Sequence, residues 1–196
     1  MRSLYFSMLL LMAVAVQAQQ SAIHLIPQPV DIQTSTGAYT LTKATTIGYN
    51  KAAAGPVAKM LSQKLSVPTG LTFATSESKK AAIQLNLLDT DNSQLGKEGY
   101  ILEATPKGVV ISANQTAGLF YGMQTLVQLL PKEIESKTAA RATWTIPAVK
   151  ITDYPRFGWR GIMLDVSRNF FTKADVKTYL DQLAQLKYNT MHWHLT

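Results

Sequence analysis

The chain has 196 residues, no cysteine and a formal net charge of +7. Without cysteine there is no disulfide, no thiolate metal site and no lipid-bearing cysteine behind a leader. The positive charge is scattered over single lysines and the pair Lys79-Lys80; with no basic strip interleaved with aromatics, it reads as a solvated surface and not as a nucleic-acid interface.

Residues 1–18 read as a secretory signal peptide. Arg2 supplies the positive start, Leu4–Val16 is apolar apart from Ser7, and Val16-Gln17-Ala18 fits a small-x-small cleavage site. The run is too short to span a bilayer comfortably, and no later segment is apolar enough to do so. The expectation is export to the periplasm or the cell exterior, with no membrane anchor after cleavage. Loss of Arg2 leaves a charge of +6 (7 − 1).

Residues 19–150 predict one complete non-catalytic domain of α+β class, a mainly antiparallel sheet with helices on one face. Leu25–Pro29 is extended, because each proline biases its predecessor away from helix. Thr45–Tyr49 is a short strand. Pro56–Leu65 is a helix with proline near its first turn and an apolar stripe of Val57, Met60, Leu61 and Leu65. Val67-Pro68-Thr69-Gly70 ends it. Leu71–Thr75 and Ala82–Leu88 are strands, and Asp89–Lys97 is a polar turn. Tyr100–Thr105 and Val109–Ala113 form a hairpin around Pro106-Lys107-Gly108. Thr116–Leu130 is a second helix, closed by Pro131. Its Gly118-x-x-x-Gly122 spacing suits close packing on a sheet. Asn114-Gln115-Thr116 is a glycosylation sequon, but it stands where a helix cap belongs, and capping is the expected role. Lys132–Thr143 is a polar loop, and Ile146–Asp153 leads out of the domain.

Residues 151–196 predict a strand–helix–strand unit. Gly158–Ser167 reads as a buried strand, Arg168–Phe171 as a polar-aromatic loop, Thr172–Leu186 as an amphipathic helix and Tyr188–Leu195 as a second strand. Thr172 and Asp175 have the spacing of a capping box. Such a unit builds parallel sheets and barrels, and alone it leaves edges and a face uncovered. In barrels of this kind the loops after the strands carry the chemistry.

Four residues stand out as site candidates. Arg168 leaves the C-terminal end of the first strand, where its planar donor fork can face a ligand; a salt bridge to Asp165 or to a carboxylate elsewhere in the barrel is the purely structural alternative. Asp165 needs a partner on a barrel strand, and orienting Arg168 is its expected role. His192 and His194 share a strand face, a spacing that can ligate a metal. With no third ligand visible, hydrogen-bonded core histidines are the preferred reading.

Three blocks in order, Tyr154-Pro155-Arg156-Phe157-Gly158-Trp159-Arg160-Gly161, Leu164-Asp165-Val166-Ser167-Arg168-Asn169-Phe170-Phe171 and His192-Trp193-His194-Leu195-Thr196, resemble the opening of the catalytic barrel of glycoside hydrolase family 20, the β-N-acetylhexosaminidases. Gly99–Pro131 resembles the end of that family's N-terminal non-catalytic domain. The resemblance implies an incomplete TIM (β/α)8 barrel, of which 151–196 would be the first β-α-β unit. It implies an exo-acting, retaining enzyme in which the substrate's own acetamide attacks the anomeric carbon. The implied substrates are glycans ending in β-linked N-acetylglucosamine or N-acetylgalactosamine, such as chitooligosaccharides or glycoconjugate glycans, with no metal or organic cofactor. Arg168 would hold hydroxyls of the terminal sugar. The Asp-Glu pair that serves the acetamide and the leaving group is expected after Thr196, since no Asp-Glu dipeptide occurs in these residues. The chain is thus expected to be a C-terminally truncated portion, inactive by itself. The alternatives are a non-catalytic glycan-binding or interaction module, and a metal-dependent barrel hydrolase using the H-x-H strand.

Overall fold

The structure, a computed structural model, describes residues 23–196. The signal-peptide reading of residues 1–18 lies outside the described residues. Among the described residues nine strands and three α-helices follow in chain order: β1 (Asp31–Thr40), β2 (Ile47–Tyr49), α1 (Gly55–Thr69), β3 (Thr75–Glu77), β4 (Ile83–Leu87), β5 (Tyr100–Thr105), β6 (Gly108–Ala113), α2 (Thr116–Gln128), β7 (Thr145–Asp153), β8 (Gly161–Asp165), α3 (Lys173–Gln185) and β9 (Thr190–His194).

Seven strands form one sheet in the order β1-β7-β5-β6-β4-β2-β3. The pairs β1/β7, β7/β5 and β5/β6 are antiparallel, whereas β6/β4, β4/β2 and β2/β3 are parallel. The sheet is therefore mixed in equal parts, which corrects the expectation of a mainly antiparallel one. The reason is connectivity. Helix α1 carries the chain from β2 to the parallel β3, and β6 runs the same way as β4 because the chain reverses twice between them, once in the turn after β4 and once in the tight hairpin at Gly108.

Alternation in β4, β5, β6 and β7 sends Ile83, Leu85, Leu102, Ile111 and Ile151 into one core with Leu61 and Leu65 of α1 and Leu119 and Leu126 of α2. Each of these fully buried side chains contributes about 1.5–3 kcal/mol relative to exposure. Val110 and Glu103, pointing the other way, are exposed, so both helices cover a single face, as expected. Gly118 and Gly122 make this approach possible. A Cβ at Gly118 would strike the carbonyl oxygen of Gly99, and one at Gly122 would come within 2.5 Å of Ile111 Cγ2.

Several predicted elements shift. Strand β1 was not anticipated at all. Helix α1 runs through Pro68 and ends at Thr69, with Gly70 capping it at φ 66°. Proline in the last turn forfeits only one helical hydrogen bond, and its carbonyl accepts from Ala140 N at 2.8 Å. The strand expected at Leu71–Thr75 forms later, as β3. The loop after Pro131 contains a short 3-10 turn, Lys132–Glu135. Asn114 does not cap α2, whose N-cap is Gln115 without a side-chain bond. Instead the Asn114 amide nitrogen donates to the carbonyls of Asn92 and Gly96, each at 2.8 Å, and its oxygen accepts from Asn92 N at 2.9 Å. It closes the polar turn rather than the helix.

Strands β8 and β9 form a separate parallel pair, with Gly161 opposite Thr190 and Asp165 opposite His194. The strand predicted over 158–167 is shorter than expected and only partly buried, because among the described residues nothing covers its far face. The capping box is present: Thr172 Oγ1 accepts from Asp175 N at 3.2 Å while Asp175 Oδ2 accepts from Thr172 N at 2.9 Å.

Candidate active-site rim and the junction beneath it

The candidate residues gather at the C-terminal ends of β8 and β9. Asp165 closes β8, and its Oδ1 accepts three hydrogen bonds: the Ser167 hydroxyl at 2.7 Å, the Ser167 amide at 3.0 Å and the Arg168 amide at 3.3 Å. The Ser167 hydroxyl, foremost, holds this carboxyl below its ordinary range, with the two backbone amides and the nearby His194 adding to it. An anchored, ionised carboxylate of this kind accepts and orients; it does not serve as a proton donor at neutral pH. Its second oxygen lies 3.5 Å from Arg168 Nε, while the Arg168 side chain is 86% exposed. The structure thus brings Asp165 and Arg168 together, and the outer nitrogens of the guanidinium project beyond the strand end with their donors unspent.

His192 and His194 lie on the same face as Met163 and Asp165, by register and by alternation. Their rings are 6.3 Å apart and nearly perpendicular. Among the described residues neither imidazole has a hydrogen-bond partner, and His192 is exposed while His194 is half-buried. The hydrogen bonds expected of core histidines are not made among the described residues. Among the described residues no group of three or more His, Cys, Asp or Glu side chains is arranged to hold a metal ion.

The opposite ends of β8 and β9 rest on the seven-stranded sheet through a polar junction that the sequence did not reveal. Lys187 Nζ donates to Asp153 Oδ2 and to Tyr100 Oη, both at 2.8 Å. Tyr100 Oη in turn donates to Asp153 Oδ2 at 3.0 Å and shares a 2.6 Å bond with the Thr125 hydroxyl. Burial, and then the Asp153 charge, push the Tyr100 phenol far above its usual range. Burial pulls the Lys187 ammonium down, with Asp153 acting against it. Beside this cluster, Arg160 Nη1 donates to Glu98 Oε2 at 2.7 Å, and its guanidinium lies over the Tyr121 ring at 5.4 Å. Arg160 stood inside a quoted block without a role. Lys187 looked like an ordinary polar residue between a helix and a strand, and no pattern in the sequence separates it from its neighbours.

A mixed α/β body leading into a parallel β-α-β unit, with polar side chains gathered at the carboxyl ends of its strands, has the layout of an α/β enzyme. Comparison with known proteins makes the assignment specific. The profile of glycosyl hydrolase family 20, domain 2, matches residues 22–154, and that of the glycosyl hydrolase family 20 catalytic domain matches residues 157–196. A β-hexosaminidase of Porphyromonas gingivalis is 36% identical over 96% of this chain. A β-N-acetylhexosaminidase of Cellulomonas fimi is 33% identical over 89% of it. Among solved structures, Streptomyces plicatus N-acetyl-β-hexosaminidase in complex with Thio-NAglucal superposes with a TM-score of 0.82 at 38% identity, covering 88% of this chain and 34% of that one. Flavobacterium johnsoniae chitobiase gives 0.73 at 32% identity, covering 92% and 28%. The chain belongs to glycosyl hydrolase family 20. It spans 25% of the Porphyromonas relative and 34% of the Cellulomonas one.

Proposed function

We propose that this chain forms the support domain and the first β-α-β unit of a TIM-barrel β-N-acetylhexosaminidase. In this reading the division between the two parts falls between the end of β7 at Asp153 and the start of β8 at Gly161. The enzyme is exported, and it removes terminal β-linked N-acetylglucosamine or N-acetylgalactosamine from the non-reducing ends of glycans by the substrate-assisted retaining route. Chitooligosaccharides and glycoconjugate glycans are its proposed substrates. In this reading Arg168 grips hydroxyls of the terminal sugar, Asp165 fixes the loop from which Arg168 springs, and His192 and His194 line the barrel's inner face nearby. The Asp-Glu pair that the mechanism requires is not among residues 1–196, so these residues alone provide binding and scaffold but no turnover.

The observation that carries the reading is the joint match of both family 20 profiles to consecutive parts of the chain, with an unspent guanidinium at the carboxyl end of β8. The test is release of nitrophenol from a nitrophenyl N-acetylglucosaminide. The gene product carrying these residues is expected to turn it over, and Arg168→Ala is expected to lower kcat/KM about 10- to 100-fold, the worth of one charge-assisted hydrogen bond. Residues 19–196 by themselves are expected to release none. Turnover by residues 19–196, abolished by Arg168→Ala, would overturn the reading.

A further inference from the structure

The end of α3 is built unlike the sequence it is made from. The Lys187 amide donates to the Ala184 carbonyl at 3.1 Å and the Tyr188 amide to the Leu183 carbonyl at 2.9 Å. Together they make a Schellman close, whose turning residue is ordinarily glycine. Here it is Lys187, at φ 63°, the one non-glycine with positive φ among the described residues. A long side chain in this left-handed conformation is strained, and such strain persists only where the surroundings hold it.

The surroundings are the junction. Lys187 is 7% exposed, and its ammonium is seated on Asp153 and Tyr100 of the seven-stranded sheet. Its carbonyl accepts from Arg160 Nε at 2.8 Å, and Arg160 is the residue immediately before β8. Asn189, immediately before β9, accepts from Arg160 N through its side-chain oxygen at 2.9 Å and donates to Glu98 Oε1 at 3.1 Å. The starts of both strands are therefore tied to the sheet, while Asp165, Arg168 and His194 lie at the far ends.

We propose that Lys187 is a pin between the two parts of the molecule: a residue placed at a glycine position so that its ammonium can lock the starts of β8 and β9 onto Asp153 and Tyr100. The seven-stranded sheet then serves as the template on which the β-α-β unit holds its order. This role does not depend on which glycan the enzyme cleaves.

Lys187→Gly separates the pin from a mere helix cap, because the two roles predict opposite signs. Glycine relieves the strained turn, so a capping residue would be improved by it. Amide hydrogen exchange in the full chain reads the outcome strand by strand. With a pin, exchange in 161–165 and 190–194 accelerates by about tenfold or more through local opening, while β5 and β6 keep their protection. Protection of β8 and β9 equal to or above that of the parent chain would overturn the proposal. Should Lys187→Gly fail to fold, Asp153→Asn decides. It leaves Tyr100 an acceptor but removes the charge beneath the ammonium, so faster exchange in the same two strands is expected, and unchanged exchange overturns the pin.

Discussion

Tyr100 is a buried side chain on which three polar commitments converge. Its ring is buried against α2, and its hydroxyl meets Thr125, Asp153 and Lys187 at once. Tyr100→Phe keeps the ring but leaves a buried threonine hydroxyl and part of an ammonium without their partner. The expected loss is about 1–3 kcal/mol of unfolding free energy, measured by denaturant titration. Gly118 is demanding in a different way. Its neighbours at the missing Cβ are backbone and the Ala113 methyl, neither of which can swing aside. Gly118→Ala is expected to cost about 1–3 kcal/mol by overpacking even though alanine is the better helix former. A melting temperature at or above the parent's would show that α2 can lift from the sheet.

Helix α3 owes its start to Thr172 and Asp175. Thr172→Ala is expected to weaken the first turn by about 1 kcal/mol, visible as faster amide exchange at Asp175 and Val176. The Asp175 carboxyl is held below its usual range, first by the Thr172 hydroxyl and then by the Thr172 amide. Its folded value thus lies below that of the unfolded chain. The contribution is complete above the ordinary carboxylate range and fades as pH falls through the lowered value. Acidification should therefore fray α3 from its N-terminus, and Asp175→Asn should flatten that pH dependence.

This helix was legible in advance because both of its signals, the apolar stripe and the capping box, are local. The Tyr100–Thr105/Val109–Ala113 hairpin was legible for the same reason. Strand β1 was not: Asp31–Thr40 is polar, nearly all of it exposed, and it is a strand only because β7 supplies its hydrogen bonds. The direction of β4 and β2 was hidden too, since periodicity reports the face of a strand and never its neighbour. Within the candidate site, the closeness of Asp165 and Arg168 could be anticipated, since the two stand three residues apart at the end of one strand. The loose state of His192 and His194 was not, because it depends on what covers their face.

At the scale of the whole molecule the two parts differ in finish. The seven-stranded body has a closed core, whereas the β-α-β unit shows Trp159, Met163, Phe170, Trp193 and Leu195 to solvent. Apolar side chains gathered on one small unit favour association. Residues 19–196 in isolation are expected to enhance the fluorescence of an apolar dye and to scatter light increasingly with concentration. Asp substitutions at Phe170 and Trp193 should suppress both without altering protection in β5 and β6. Equal dye binding by the substituted chain would place the sticky surface elsewhere.

The position of β7 sets a timetable for synthesis. This strand lies between β1 and β5, yet it is among the last parts of the body to be made. Until residue 153 has left the ribosome, β1 has nothing to zip against and the flank of β5 stays bare. A nascent chain halted short of that point holds α1, α2 and a partial sheet with one raw margin, the state in which chaperones have most to guard. Asp153, at the end of the same strand, is also the seat of the Lys187 ammonium. The segment that completes the sheet is thus the one that readies the mooring for what emerges next.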